Sequence, residues 1–132
     1  MDEEAAPKAS ASVRAIVAED FLHMQEALVA CLQNIPDVLV VATAFNGREA
    51  LEKVLQLLPD LAIVDLQMPA MDGFQLLRHL RKLYPAMHLV AVSGHQSPAI
   101  EEEALKAGAN AFVSKSQLPY GLVTVVEKLL AR

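Results

Sequence analysis

The segment PDLAIVDLQMPAMDG, which spans Pro59–Gly73, decides the fold. It contains a continuous apolar run that begins at Leu61 and is closed by Asp65. Strands that are buried on both faces of a sheet have such runs, because neither face is left to polar residues. We therefore predict a buried strand here, with Asp65 at its carboxyl end.

Four further apolar, β-branched runs lie on either side of this segment. With it they begin near Val13, Val38, Leu61, His88 and Ala111, which are 25, 23, 27 and 23 residues apart. The segments that follow them have a helical period, near Phe21–Leu32, Gly47–Leu58, Gly73–Tyr84, Pro98–Ala107 and Leu118–Ala131. The alternation predicts an α/β class domain, a doubly wound five-stranded parallel sheet with helices on both faces.

The composition fits one domain with a substantial core. The chain has 132 residues, of which 54% are apolar and 20% are charged, and this excludes global disorder. Residues 1–11 hold alanine, serine, proline and charged residues without an apolar period. We predict a flexible N-terminal tail over 1–11 and a single domain over 12–132.

Charge and cysteine content exclude several classes of protein. The 11 Lys and Arg residues face 16 Asp and Glu residues, so the net charge of −5 disfavours nucleic-acid binding by this domain alone. The single Cys31 permits no internal disulfide. No apolar run approaches the roughly 18 residues that span a bilayer, and the N-terminus is acidic where a signal peptide is basic. We therefore expect a cytoplasmic protein without a membrane partner.

Polar residues stand at the predicted carboxyl ends of three strands, the first, third and fourth, and just after the fifth. They are Glu19 and Asp20, then Asp65, Ser93 and Lys115. Open α/β sheets bind ligands at this edge. If the first and third strands are neighbours, three carboxylates converge there, and such a cluster suits Mg²⁺. A lysine beside a metal and a carboxylate is a set of groups that handles phosphoryl transfer.

Four motifs in order carry a resemblance to a known family. They are the acidic pair in IVAEDF, the segment PDLAIVDLQMPAMDG, the serine in VAVSGH and the tail AGANAFVSK. The chain resembles the receiver domains of two-component response regulators, including those of DNA-binding regulators, over roughly residues 12–131. The resemblance implies the flavodoxin-like strand order 2-1-3-4-5.

The resemblance also implies roles for particular residues. Asp65 would accept a phosphoryl group from the phosphohistidine of a sensor histidine kinase or a histidine phosphotransfer protein. Asp20 would bind Mg²⁺ directly, Glu19 would act through water, and the metal ligands would include Asp65 and the backbone carbonyl of Gln67. Ser93 and Lys115 would hold the phosphoryl group.

The remaining implied roles concern the lifetime and output of the phosphorylated form. The side chains of Gln67 and His95 would tune hydrolysis, and Phe112 would act as the aromatic switch. We expect the surface of the fourth helix, fifth strand and fifth helix to control a partner or dimerisation, with Tyr120 and Val125 exposed.

The sequence departs from the family pattern at two positions. Glu19 replaces the commoner aspartate of the acidic pair, and Ser116 stands where the family usually has a cis proline. The loop after the fifth strand is therefore either less rigid or holds a cis bond at a residue that is not proline.

Several alternatives are kept beside the phosphorylatable switch. One is the receiver half of a transcription regulator that lacks its DNA-binding domain. An aspartyl phosphatase of the haloacid-dehalogenase type is disfavoured, because Gln67 stands where that family needs an acid/base aspartate. A non-phosphorylated scaffold is disfavoured by the intact Asp65, Asp20 and Lys115. We expect no enzyme, beyond self-catalysed phosphorylation and dephosphorylation.

Overall fold

The computed structural model describes residues 13–131, so the predicted tail over 1–11 lies outside the described residues. Within them, five strands pair in parallel in the order β2-β1-β3-β4-β5. The strands are β1 Val13–Ala18, β2 Val38–Ala44, β3 Leu61–Asp65, β4 His88–Ser93 and β5 Ala111–Ser114. The predicted fold class and strand order are confirmed.

A helix follows each strand, as the apolar periods predict. The helices are α1 Leu22–Gln33, α2 Gly47–Leu57, α3 Gly73–Leu83, α4 Pro98–Ala107 and α5 Tyr120–Leu130. Three of them begin at side chains that accept a backbone N–H: Asn46 before α2, Asp72 before α3 and Ser97 before α4. Such caps satisfy amide groups that have no partner in the first turn of a helix.

The segment between β5 and α5 differs from the prediction of a helix that begins at Leu118. A 3-10 helix, Lys115–Gln117, comes first, and α5 begins at Tyr120. The backbone N–H of Ser114 donates to Oε1 of Gln117 at 3.1 Å, which holds this short turn together. Among the described residues the cis peptide bond is Leu118–Pro119, so the bond before Ser116 is not cis.

The core consists of two apolar layers, one on each face of the sheet. The helices α1 and α5 cover one face through Leu28, Leu32, Leu122 and Val126. The helices α2, α3 and α4 cover the other, through side chains such as Val54, Leu76, Leu77 and Ala104. Because both faces are covered, the central strands β1, β3 and β4 are buried along most of their length, and polar groups collect at their carboxyl ends. No helix within residues 13–131 combines the length and apolar character that crossing a membrane requires.

The start of α3 packs directly on the end of β3, and we predict that this close approach tolerates only glycine at position 73. A Cβ atom there would overlap the backbone oxygen of Asp65 and lie 2.5 Å from Cα of Leu66. Gly73→Ala should lower the free energy of unfolding by about 2–4 kcal/mol, measured by urea denaturation.

Gly94→Ala is the matched control for this substitution. A Cβ atom at Gly94 has Cδ of Lys115 as its nearest neighbour, at 3.9 Å. Its effect should stay within about 0.5 kcal/mol. Equal losses of stability in the two variants would contradict this account of the β3–α3 contact.

Candidate functional site

The carboxyl ends of β1 and β3 bring three carboxylates together. Glu19, Asp20 and Asp65 each offer a carboxylate oxygen, and these oxygens all lie within 4.8 Å of one another. The Glu19 and Asp65 side chains are buried, whereas Asp20 is exposed. The convergence follows from the strand order, because β1 pairs directly with β3.

Lys115 supplies the positive charge that faces these carboxylates. Its Nζ lies 2.9 Å from Oε1 of Glu19 and 3.5 Å from Oδ2 of Asp65. Burial lowers the pKa of the Lys115 ammonium, but its ion pair with Glu19 and the charge of Asp65 outweigh it and raise that pKa. The ammonium therefore stays charged in the pocket.

The surroundings of Asp65 strongly perturb its carboxyl group. Burial, followed by the negative charge of Glu19, raises its pKa to about 7. The N–H of Gln67, which donates to Oδ1 at 3.2 Å, and the charge of Lys115 oppose this rise. Without a bound metal ion, the ammonium of Lys115 is thus insufficient to keep Asp65 ionised below about pH 7.

Glu19 is held in place but is short of hydrogen-bond donors. Its Oε2 accepts the N–H of Phe21 at 3.1 Å. Its Oε1 is buried and, among the described residues, has Lys115 as an ion-pair partner but accepts no well-aligned hydrogen bond. Hard cations such as Mg²⁺ prefer carboxylate oxygens as ligands, so these three carboxylates fit the predicted magnesium ion.

The remaining predicted site residues lie at or near the carboxyl ends of β3, β4 and β5. Ser93 is buried at the end of β4, where its Oγ accepts the N–H of His95 at 3.0 Å. The side chains of Gln67 and His95 are exposed. Phe112, half-buried on β5, pairs with Ala91 of β4 and packs against the core layer of α2, α3 and α4.

One residue that positions the site was missed by sequence reasoning. Gln25 of α1 is buried, and its side chain donates hydrogen bonds to the backbone oxygens of Glu19 and Ala44. A signal was present, because Gln25 lies three residues before Leu28 and seven before Leu32, on the buried stripe of the helix.

In the metal-free protein we predict that the Asp65 carboxyl group makes folding less favourable as the pH rises. The folded protein holds this proton up to a pKa of about 7, whereas the unfolded chain releases it near the ordinary value of 3.8. The folded state therefore binds more protons between these values, and rising pH favours unfolding.

Asp65→Asn removes this contribution. The substitution should increase the stability of the metal-free protein more at pH 8 than at pH 5, by on the order of 2 kcal/mol. Urea denaturation of both proteins at both pH values measures the difference. An effect of the substitution that is the same at the two pH values would show that Asp65 is not perturbed.

Comparisons with known proteins agree with this geometry. The family model for the response regulator receiver domain matches residues 15–127. The protein-glutamate methylesterase/protein-glutamine glutaminase 2 of Koribacter versatilis is 34% identical over 124 residues, which is 91% of this chain and 34% of that protein. The corresponding protein of Carboxydothermus hydrogenoformans is 36% identical over 90% of this chain and 33% of its own length. The chain spans about a third of the length of these curated relatives.

Solved structures show the same fold. The receiver domain of the putative response regulator NarL from Mycobacterium tuberculosis has a TM-score of 0.82 and 34% identity, over 89% of this chain and 94% of that one. The response regulator domain of Thermotoga maritima CheB has a TM-score of 0.77 and 32% identity, over 89% of this chain and 92% of that one.

These relatives correct one expectation and establish the family. The prediction that the chain is not an enzyme is wrong, because the curated relatives are named as methylesterases and glutaminases, which are enzymes. The match to them covers their receiver domain alone. The family match, the parallel sheet and the acidic pocket agree, and the chain belongs to the receiver domains of two-component response regulators.

Proposed function

We propose that this receiver domain is a phosphorylation-controlled switch in which Asp65 accepts the phosphoryl group of a phosphohistidine. One observation carries the proposal: the buried Asp65 carboxylate ends β3 and is faced by Glu19, Asp20 and Lys115. Structural ion pairs rarely place two further acids beside such a pair, because like charges repel. A phosphoryl group with a cation is the ligand that this arrangement suits.

The chemistry follows from the positions of these groups. An Asp65 carboxylate oxygen attacks phosphorus, the bond from phosphorus to the imidazole nitrogen breaks, and the imidazole leaves with that electron pair. Asp20, Asp65 and the backbone carbonyl of Gln67 would hold Mg²⁺ directly, and Glu19 would act through water. The bound ion supplies positive charge that favours the carboxylate form of Asp65 and offsets charge on the phosphoryl oxygens.

Ser93 and Lys115 would hold the new phosphoryl group. Lys115 Nζ is already 3.5 Å from Oδ2 of Asp65, and the Ser93 hydroxyl lies at the end of the neighbouring strand. The side chains of Gln67 and His95 are exposed, and the backbone N–H groups of these residues bind Asp65 and Ser93. These two side chains would set the rate at which water removes the phosphoryl group.

An exposed apolar surface beside the pocket supports docking of a phosphodonor protein. Phe21 and Leu22, at the start of α1, are 60% and 49% exposed, and Tyr120, at the start of α5, is 81% exposed. The helices α1 and α5 pack against each other. Exposed apolar side chains at the starts of two packed helices suit an interaction site. The partner would be a sensor histidine kinase or a histidine phosphotransfer protein.

The output would pass through the edge of the sheet that β4 and β5 form. Movement of Ser93 toward the phosphoryl group would open space beside Ala91, which the paired Phe112 can enter. The helix α4 above it buries the small side chains of Ala104 and Ala107, so it has little apolar contact to lose. The surface of α4, β5 and α5 would change and control a partner or dimerisation. On that surface Tyr120 is exposed, whereas Val125, expected to be exposed, is half-buried against the core.

A second candidate output is control of an attached effector domain. The curated relatives carry about two thirds of their length beyond the matched region and are named as enzymes. A structural relative from Staphylococcus aureus is a DNA-binding response regulator of the LuxR family, with 26% identity and a TM-score of 0.82. In this candidate the same α4, β5 and α5 surface would hold or release the effector.

The phosphoacceptor is tested by intact-protein mass after incubation with Mg²⁺ and acetyl phosphate. We expect the protein to gain one phosphoryl group, and Asp65→Asn to gain none. Asp60→Asn is the matched control, because Asp60 directly precedes the same strand at its opposite end and accepts a hydrogen bond that asparagine can also accept. Full labelling of Asp65→Asn would refute the assignment.

The output is tested with Phe112→Ala, a change that leaves the carboxylates intact. The variant should be phosphorylated to the same extent as the unmodified sequence. In the unmodified sequence, phosphorylation should change the hydrogen exchange of residues 98–131 and the sedimentation coefficient, and both changes should shrink at least several-fold in the variant. If phosphorylation of the unmodified protein alters neither quantity, this output surface is wrong.

A further inference from the structure

The buried polar side chains of this domain share one location. Within residues 13–131 they are Glu19, Gln25, Asp65, Ser93 and Ser114. Four of the five lie at or just beyond the carboxyl ends of strands. Gln25 is the exception, because it lies on α1, yet it is only 5% exposed. A buried amide needs hydrogen-bond partners, so the partners of Gln25 indicate what it does.

Those partners are the ends of two neighbouring strands. Nε2 of Gln25 donates to the backbone oxygens of Glu19 and Ala44, each at 3.1 Å. The N–H of Glu19 also donates to the Ala44 oxygen, at 2.9 Å. One side-chain amide therefore uses both of its N–H groups to tie the residue after β1 to the last residue of β2.

The register of the sheet makes this tie possible. Ala15 pairs with Val40 and Ile16 pairs with Ala42, so β2 contains one extra residue. The shift brings Ala44 level with Ala18, directly before the acidic pair. Extra residues of this kind often lie beside functional sites, where they redirect a strand end.

Backbone hydrogen bonds hold the other end of the acidic segment, where α1 begins. The N–H of Gln25 donates to the Phe21 oxygen at 2.8 Å, and the N–H of Phe21 donates to Oε2 of Glu19 at 3.1 Å. No side chain in the described part of the chain caps α1 at Phe21. The Glu19 end of this segment is therefore anchored by the Gln25 side chain, and the Phe21 end is held by a backbone hydrogen bond of the first turn of α1.

We propose that Gln25 is a positioning residue for the metal site. It fixes the backbone of Glu19, so that the carboxylates of Glu19 and Asp20 face Asp65 before a cation binds. Without this anchor, repulsion among the carboxylates would move the acidic segment away from Asp65. An uncharged amide resists that movement without changing the charge of the pocket. The inference rests on the proposed function, in which the site binds Mg²⁺.

The test is a Mg²⁺ titration of the 132-residue protein, in which the NMR chemical shift of the Gln67 amide group reports binding. Gln25→Met keeps a similar length but removes both donors. It should raise the Kd for Mg²⁺ about tenfold, as loss of an outer partner of a metal ligand does.

The control separates positioning from a loss of stability. Leu28 lies three residues after Gln25 on α1, in the core layer of α1 and α5. The substitution Leu28→Val removes one methylene group from that core and leaves Gln25 unchanged. It should lower the melting temperature but leave the Kd for Mg²⁺ within about twofold of the unmodified value. Gln25→Asn, one methylene shorter, is the second variant if Gln25→Met does not fold, and it should also raise the Kd.

The outcomes distinguish a failure of the role of Gln25 from a failure of the proposed function. A folded Gln25 variant whose Kd for Mg²⁺ equals that of Leu28→Val would overturn the role of Gln25 and leave the proposed function intact. An unmodified protein that neither binds Mg²⁺ nor accepts a phosphoryl group would overturn both.

Discussion

The structure depends on one electrostatic constraint, the enclosure of Asp65 and Glu19 beside the single ammonium of Lys115. Two buried carboxylates share that cation at 2.9 and 3.5 Å, and the exposed carboxylate of Asp20 lies at the rim. Like charges held this close raise the free energy of the folded protein unless a proton or a cation compensates. The pKa of about 7 for Asp65 expresses that cost.

The rest of the fold maintains this arrangement. Apolar layers on both faces of the sheet keep β1 and β3 in register, so that their carboxyl ends cannot separate. The close contact of Gly73 with the backbone of Asp65 fixes the loop that follows β3. Gln25 joins the ends of β1 and β2. The site is therefore set before any ligand arrives, and a cation or a phosphoryl group would relieve a charge imbalance that already exists.

The sequence predicts the framework well because burial leaves a direct pattern in the chain. The starts of all five strands match the starts of the apolar runs, and Pro98 and Gly108 delimit α4 as their backbone preferences require. The convergence of the carboxylates needed the strand order, which the sequence supplied only through resemblance to a family. The role of Gln25 was missed, because its partners are backbone oxygens that carry no residue signature. Val125 was misplaced because the seven apolar residues of α5 do not reveal which of them face the core. The enzyme expectation failed for another reason: the names of the relatives describe proteins about three times as long as this chain.

The central claim is that carboxylates are forced together in a pocket that a divalent cation suits. Its most direct test is a measurement of the pKa of the Asp65 carboxyl group, with and without Mg²⁺. The NMR chemical shift of the carboxyl carbon, recorded as a function of pH, gives this pKa. The account predicts a pKa of about 7 in the metal-free protein and a marked decrease when Mg²⁺ is added. A pKa near the ordinary value of 3.8 in the metal-free protein, unchanged by Mg²⁺, would contradict it.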